Sequence, residues 1–579
     1  MNKLVVLLFL TFSIFAQPPR GGPPGNGNPP RGGTVPGIGG PPPGNPLTPP
    51  VAPIGNPSSD DKIMLGKVLF WDEQLSSTKT VACASCHILS NGGTDPRAYS
   101  GNSNAVNPGY DGIFATIDDV IASPGVPQSD ESGQYVYNEF YSYKAQVTDR
   151  KAPSVINVSY ATDLFWDGRA GDQLIDPDTN QIVLASGAAL ESQVLGPLLS
   201  TTEMAHVGRN WKDVIYSLET SSPMALSPLL TEDMKLWIGD QDYYQLFEKA
   251  FGNTDIKATK IAMAIAAYER SLYADEAPLN LDLSGDQNAL NAQEKRGLGV
   301  FRRALCGGCH VGPLLSDNQF HNIGLISNEE DEGRFVITGL LPDKGRFKTP
   351  SLNNLANRTA FMHTGQFSTL EEVVDFYDRG GDFNNPNLDP RMVALNLSVQ
   401  DKQDLVVFLR DGLTDIRVSN ETGPFSQPQL YSDSVNMPIV SGFGVAGFDS
   451  IIPVISCIEP PILGNSNFTI VLENAKANTL ATLIIDTQDP EDDFIKITGN
   501  RIIMTAITQA NNEENNSQAH ASIAITLPSE NQFDNTTFYA RWYIDDEDAT
   551  GGMAISPLLE FTLFKAEYGQ AGLIFRESF

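Results

Sequence analysis

The stretch CGGCH, Cys306–His310, decides how this chain is read, and a second copy of its pattern, CASCH, stands at Cys83–His87. The two copies take four of the five cysteines. Only Cys457 is left over, which excludes a disulfide framework and leaves a buried thiol or an intermolecular link. The spacing has a mechanical reason. Two thiols one helical turn apart sit under the two vinyl groups of a haem, and the His that follows points at the iron. The competing pattern is a zinc ribbon built from two CxxC pairs. His follows both pairs directly, so the motifs predict two covalently attached c-type haems. Cys83, Cys86 and His87 would hold the first, Cys306, Cys309 and His310 the second, with His87 and His310 as iron ligands.

The chain has six His in all. None lies between His87 and His206, so the first haem has no local distal His and is expected to be five-coordinate, open to peroxide or O2. His321 and His363 read as packing or hydrogen-bonding residues. His206 has no assigned role, and His520 reads as a surface residue.

Upstream of the first motif the chain begins MNKLVVLLFLTFSIFAQ. One Lys, a short apolar run and then small residues predict a signal peptide over 1–16. The run is too short to span a membrane, and no later run reaches that length. The expectation is an exported bacterial protein, periplasmic or secreted, with no membrane span. Residues 17–57 are dominated by Pro and Gly without a strict period and read as a disordered linker. Helical spacing follows in SSDDKIMLGKVLFW and KATKIAMAIAAYERSLY. FSTLEEVVDFYDRGG carries a capping box, Ser368 with Glu371, and a stop at Gly380; LSVQDKQDLVVFLRDGL repeats it with Ser398 and Gly412. Residues 90–150 read as a long loop, and 58–415 otherwise as mostly helical.

Beyond about residue 420 the period changes from 3.6 to 2. NFTIVLEN, ASIAITLP, TFYARWYI and LLEFTLF alternate apolar and polar residues, which predicts an all-β sandwich. Its acidic clusters DPEDD (489–493) and DDED (545–548) are solvated turns or calcium loops. Seventy acidic against thirty-eight basic residues give a net charge of −32. Such a surface repels nucleic acid, favours solubility and suits a basic protein partner.

The motifs together resemble the bacterial di-haem cytochrome c peroxidase family, which includes the MauG-type enzymes. The matching text is LGKVLFWDEQLSS before CASCH, APSVINVSYATDLFWDGRA (152–170), ESQVLGPLLSTTEM (191–204), CGGCHVGPLLSDNQFHNIGL (306–325), and FKTPSLNNLANRTAFMHTGQFSTLEEVVDFYDRGG (347–381). The resemblance covers about 58–415 and implies a mainly α fold with two cytochrome c-like haem domains, 58–290 and 291–415. A linker at 416–449 and the β-sandwich domain at 450–579 lie outside it. Trp166 looks like the aromatic residue between the haems, and Gln193 and Glu203 like the distal pair on the first, where a carboxylate moves the peroxide proton. Arg169 would tie down a haem propionate or a nearby carboxylate. The sixth ligand of the second haem would be Tyr377, as in MauG-type members, with Met362 or Met392 as alternatives.

Two departures stand out. The peroxidases carry a His in the loop before the APS motif; here SYKAQVTDRKAPS has none, so no reductive activation is expected. The family's calcium between the haems is held partly by an Asn where this chain has Lys151, which leaves calcium possible but disfavoured and Lys151 as a substitute charge. The resemblance implies a peroxidase that reduces hydrogen peroxide with electrons from a small redox protein, a cytochrome c or a cupredoxin. The alternatives are a MauG-like oxidase acting on a protein or organic substrate and a non-catalytic electron-transfer cytochrome.

Overall fold

The computed structural model describes residues 46–312, 314–490, 501–510 and 519–566. The leader-like stretch, most of the Pro/Gly segment and residues 491–493 of the first acidic cluster lie outside the described residues.

The helix Asp60–Trp71 starts where Ser59 accepts a hydrogen bond from the Lys62 N–H, with Asp60 and Asp61 in the first turn to complement the dipole. It buries Leu65, Val68, Leu69 and Trp71 in a core shared with the helix Ala258–Ser271. The two cross at Gly66, where a Cβ would stand 1.9 Å from the Ala264 carbonyl oxygen. Only glycine permits that approach. The second half of the chain repeats the device. The helix Ala292–Arg303, capped by Asn291, crosses Val399–Val407 at Gly297, where a Cβ would stand 2.0 Å from the Asp404 carbonyl oxygen. The first crossing helix is followed by CASCH and the second by CGGCH.

Several expectations are corrected in detail. The capping box near 370 is one residue later: Thr369 accepts from the Glu372 N–H at 3.2 Å while the Glu372 carboxylate accepts from the Thr369 N–H at 3.0 Å. The helix then stops at Gly380 in the left-handed region, as expected. Past Val407 the helix widens into a π turn, Phe408–Gly412, and the helical run ends at Gly412. Between the helices run long loops and four two-stranded ribbons, so 58–415 is less helical than its periodicity suggests. The end of the presumed spacer is packed: Asn56 is fully buried and donates to Glu191 and to the Met263 carbonyl. Residues 416–449 also engage both neighbours. Val418, Phe425 and Leu430 enter the core of the first half, and Ile439–Ser441 is an edge strand of the C-terminal sheet.

The C-terminal region is two facing antiparallel sheets. One carries Val454–Ile458, Phe468–Ala475 and Ala519–Ile525 in spatial order; the other carries Ile502–Ile507, Leu480–Asp486, Thr537–Asp545, Leu558–Thr562 and Ile439–Ser441, with Met553–Ile555 also paired to Thr537–Asp545. Phe468, Ile470 and Leu472 from one sheet and Leu483, Trp542 and Phe561 from the other form a common core. The Trp542 indole donates across it to the Val471 carbonyl at 3.2 Å. Cys457 is half-buried at the margin of this core. In the DDED turn, Lys476 lies within 3.5 Å of Asp546, Glu547 and Asp548, so a protein ammonium occupies the place a cation would take. His520 is not a surface residue: it is 8% exposed and stacks on Tyr137 of the long loop, ring centroids 4.2 Å apart.

Candidate functional site

Each CxxCH motif lines its own cavity. The motif Cys83–His87 opens on a cavity of about 640 Å³, and Cys306–His310 on a narrower one of about 260 Å³. In both, the imidazole is half-buried, and desolvation lowers its pKa, which favours the neutral ring. Both rings are oriented alike. His87 Nδ1 lies 3.2 Å from the Gly93 carbonyl oxygen, and His310 Nδ1 lies 2.9 Å from that of Leu315. A proton on Nδ1 donated to a carbonyl leaves the Nε2 lone pair for a metal. This is the ring orientation an axial iron ligand requires, with the two thiols of each motif on the same cavity wall.

The wall between the cavities is shared. Lys151–Ser154 and Leu164–Trp166 line both. The Trp166 indole donates to the Lys151 carbonyl at 2.7 Å, and the Trp166 carbonyl accepts from the Lys348 N–H at 2.8 Å. Trp166 therefore joins two matching tetrapeptides, KAPS (151–154) and KTPS (348–351), each of which also sets a proline backbone near the His of its own half. This repeat is legible in the sequence as two matching four-residue words.

The first cavity gathers Gln193, from the short helix Ala189–Val194, with Glu203 and Arg169. Burial raises the Glu203 carboxyl above its ordinary range, and the charge of Arg169 works against that rise. Arg169 itself lies over the Phe165 ring at 3.6 Å and pairs with Asp167 at 2.8 Å, the local carboxylate expected for it. Among the residues lining this cavity, His87 is the only imidazole, and Met204, beside Glu203, the only thioether. The long loop contributes Asn107, Tyr110, Asp118 and Ser123 to the same wall. A buried carboxyl on this wall, Glu269, was not anticipated: it is 4% exposed, burial pushes it up to about 8, and its Oε2 has no hydrogen-bond partner among the described residues. Its place inside the apolar helix KATKIAMAIAAYERS was the available signal. His206 lines neither cavity.

The second cavity gathers Tyr377, Met362, Met392, His321 and His363 around His310. All three candidates for a sixth ligand are therefore on its wall. His363 is buried, stacked on Phe347 at 3.7 Å, with its Nε2 unpartnered among the described residues; burial drives its pKa down to about 3. His321 is the opposite case. Its Nε2 donates to Asp317 at 2.9 Å and its Nδ1 to Asp389 at 2.8 Å, and Asp317 foremost holds it protonated, up to about 10. The Arg391 guanidinium, 3.1 Å from Nδ1, is held by Asp389 rather than by the ring, since both ring nitrogens are donors. Lys348 and Arg358 are half-buried cations on this wall, their pKa values lowered by desolvation to about 8 and about 10, and Arg358 Nε has no partner among the described residues. Lys151 is buried at the shared wall and lowered by the same cause to about 7. Desolvated cations short of anionic partners fit a carboxylate-bearing cofactor such as haem.

Comparison with known proteins gives one answer. The model of the di-haem cytochrome c peroxidase family matches residues 60–288. The methylamine utilization protein MauG of Methylorubrum extorquens is 30% identical over 360 residues, which are 62% of this chain and 79% of that protein. The cytochrome-c peroxidase IdrP1 of a Pseudomonas species is 27% identical over 425 residues, 68% of this chain and 88% of the relative. A solved structure of a MauG-like protein associated with microbial copper homeostasis is 26% identical, with a TM-score of 0.47, over 66% of this chain and 97% of its own. Among the described residues no helix is long and apolar enough to cross a membrane.

Proposed function

This chain belongs to the di-haem cytochrome c peroxidase family, MauG among its members, and from that premise we propose that it is an oxidoreductase reducing hydrogen peroxide at a haem held by Cys83, Cys86 and His87. The family implies two haems; the second would be held by Cys306, Cys309 and His310, each motif joined to its cofactor through both sulfurs. Haem supplies the electrons for peroxide cleavage and stores the oxidising equivalents. The protein supplies protons, orientation and a path. The observation that carries the reading is a half-buried carboxyl whose pKa is raised by desolvation, Glu203, in the same cavity as His87. As a carboxylate, Glu203 takes the proton from one peroxide oxygen and returns it to the other, so that water leaves. Gln193 offers an amide to orient the peroxide. Trp166, on both cavity walls, carries electrons from the second site to the first. Cleavage of one peroxide consumes two electrons and two protons and yields two waters; a small redox protein supplies the electrons. The test is direct. Peroxide added to the resting ferric holoprotein shifts or bleaches the Soret band at once; two low-spin haems that stay inert until reduced defeat the reading.

A second reading is favoured by one residue. Tyr377 lines the second cavity, and burial raises its phenol pKa, so only a strong Lewis acid would ionise it. A phenolate ligand favours ferric iron and disfavours electron entry from an ordinary cytochrome c. The protein would then be a MauG-like oxidase, oxidising a protein or bulky organic substrate at a distance. Absence of turnover with reduced cytochrome c, beside a rapid reaction with peroxide, selects this reading. The leader-like stretch 1–16 and the two CxxCH motifs, which would attach haem covalently, support export to the periplasm or the medium. Calcium gains no support, because Lys151 puts a buried amine at the shared wall.

A further inference from the structure

The long loop that follows the first CxxCH motif does more than line the first cavity. Two of its strands, Pro124–Pro127 and Ala145–Val147, form a ribbon that lies on the turn carrying Glu203. The Val126 N–H donates to the Thr202 carbonyl at 3.0 Å, and the Gln146 side chain donates to the Thr201 carbonyl at 2.9 Å. The contact is close enough that a Cβ on Gly125 would stand 2.0 Å from the Thr202 oxygen and 2.8 Å from the Glu203 Cα. Beyond the ribbon the chain projects as an arm, 128–143, and the arm ends in the C-terminal β region.

That end is clamped. The Tyr135 hydroxyl donates to Glu459 at 2.7 Å, the Tyr143 N–H donates to Glu473 at 3.1 Å, and Asn467 exchanges bonds with Gln134 and the Gly133 carbonyl. Tyr137 stacks on His520, and Tyr135 and Tyr143 share an apolar cluster with Ile458 and Val471. Glu459 is buried and has a second charge to hold: its other oxygen accepts from Lys79 at 3.2 Å, four residues before Cys83. One carboxylate of the β region thus fixes both the arm and the segment leading into the first haem motif. The arm belongs to the loop that appeared in the sequence as a mere excess of Gly, Ser, Asn and Tyr.

We propose that the C-terminal β region is a brace for the first haem pocket, and that Tyr135, Glu459 and His520 are positioning residues that act through the Thr202–Glu203 turn. The inference rests on the reading of Glu203 as the proton-moving carboxyl, but its first test does not. In the full-length holoprotein, Tyr135→Phe with His520→Ala removes the hydroxyl bond and the stack while leaving the apolar ring of Phe in place. Hydrogen–deuterium exchange of the 200–207 turn then quickens by roughly tenfold, while 306–325 keeps its wild-type rate. An unchanged 200–207 turn overturns the proposal whatever peroxide does. The second test uses peroxide itself. The rate constant of the double variant falls by roughly tenfold, and its pH profile moves toward the ordinary carboxyl range as water reaches Glu203. In a Glu203→Gln background the same double change has no further effect, because coupled residues are not additive. An undiminished effect in that background overturns the proposal. If wild-type protein is inert to peroxide, the function proposed above fails, and the exchange result still decides the brace. Should the double variant fold poorly, Glu459→Gln alone, which keeps an acceptor for Tyr135 but loses the charge for Lys79, gives the same exchange readout at smaller amplitude; no change there counts against the proposal.

Discussion

His87 shares its cavity with several carboxyls, Glu203 and Glu269 among them, and with no other imidazole, whereas His310 shares its cavity with a phenol, two thioethers and two further imidazoles. The scaffolds under these walls are alike. A glycine-notched helix precedes each motif, and a carbonyl five or six residues on orients each His. A KxPS tetrapeptide sets a proline backbone near the His of each half. The difference lies in the loops laid over the scaffold. The first wall can hold and move protons and offers a soft ligand only through Met204. The second offers ligands and positive charge and has no carboxyl placed to shuttle a proton, since Asp317 and Asp389 are committed to His321. On the function proposed above, one scaffold would serve bond cleavage at one site and storage at the other, with the partition set by side chains that stand outside the CxxCH motifs.

The largest effect expected from this partition comes from exchanging one group at each site. Glu203→Gln slows the bimolecular reaction with peroxide by roughly 10²–10⁴-fold, measured by stopped-flow at the Soret band, and leaves the second site's spectrum intact. Tyr377→Phe does the reverse: the second site's spectrum changes and the peroxide step keeps its rate. If Tyr377→Phe is the slower of the two with peroxide, the assignment of labour is inverted and the comparison breaks.

A smaller effect tests whether the two scaffolds are independent. Gly66→Ala drives a methyl into the Ala264 carbonyl, and Gly297→Ala drives one into that of Asp404. Each substitution costs about 1–3 kcal/mol by overpacking, seen as a fall in the midpoint of chemical denaturation. Gly66→Ala disturbs the spectrum of the first haem, and Gly297→Ala that of the second. A substitution that disturbs both haems equally shows that the shared wall, not the helix crossing, dominates each pocket.

How far the sequence alone carries depends on range. The helices were legible because capping and periodicity are local: Ser59, Ser398 and Gly380 sit at the expected boundaries. Words such as FWDGRA and STTEM singled out Trp166, Gln193 and Glu203, and the structure brings them to one cavity with Cys83, Cys86 and His87. What escaped is what depends on distant partners. Asn56 looked like the tail of a flexible spacer because its burial comes from Glu191 and Met263, far along the chain. His520 looked exposed because the tyrosine that covers it, Tyr137, belongs to a loop nearly four hundred residues earlier by sequence number. Glu269 went unremarked, because only packing shows that its face of the helix is interior.

The smallest effect concerns Arg169, and it sharpens the comparison at its most local point. Glu203 must be ionised to accept a proton, so the peroxide rate rises with pH as that carboxyl titrates. Burial moves this limb above the ordinary carboxyl range, and Arg169 pulls it part of the way back. Arg169→Gln therefore shifts the limb to higher pH and leaves the rate at its plateau unchanged. The shift is small, because the Arg169 side chain is 46% exposed and already shares its charge with Asp167. Added salt screens the wild-type guanidinium and brings the two profiles together. A fall in the plateau itself would mean that Arg169 touches the peroxide, and then proton transfer at the first wall would be the work of two side chains rather than one.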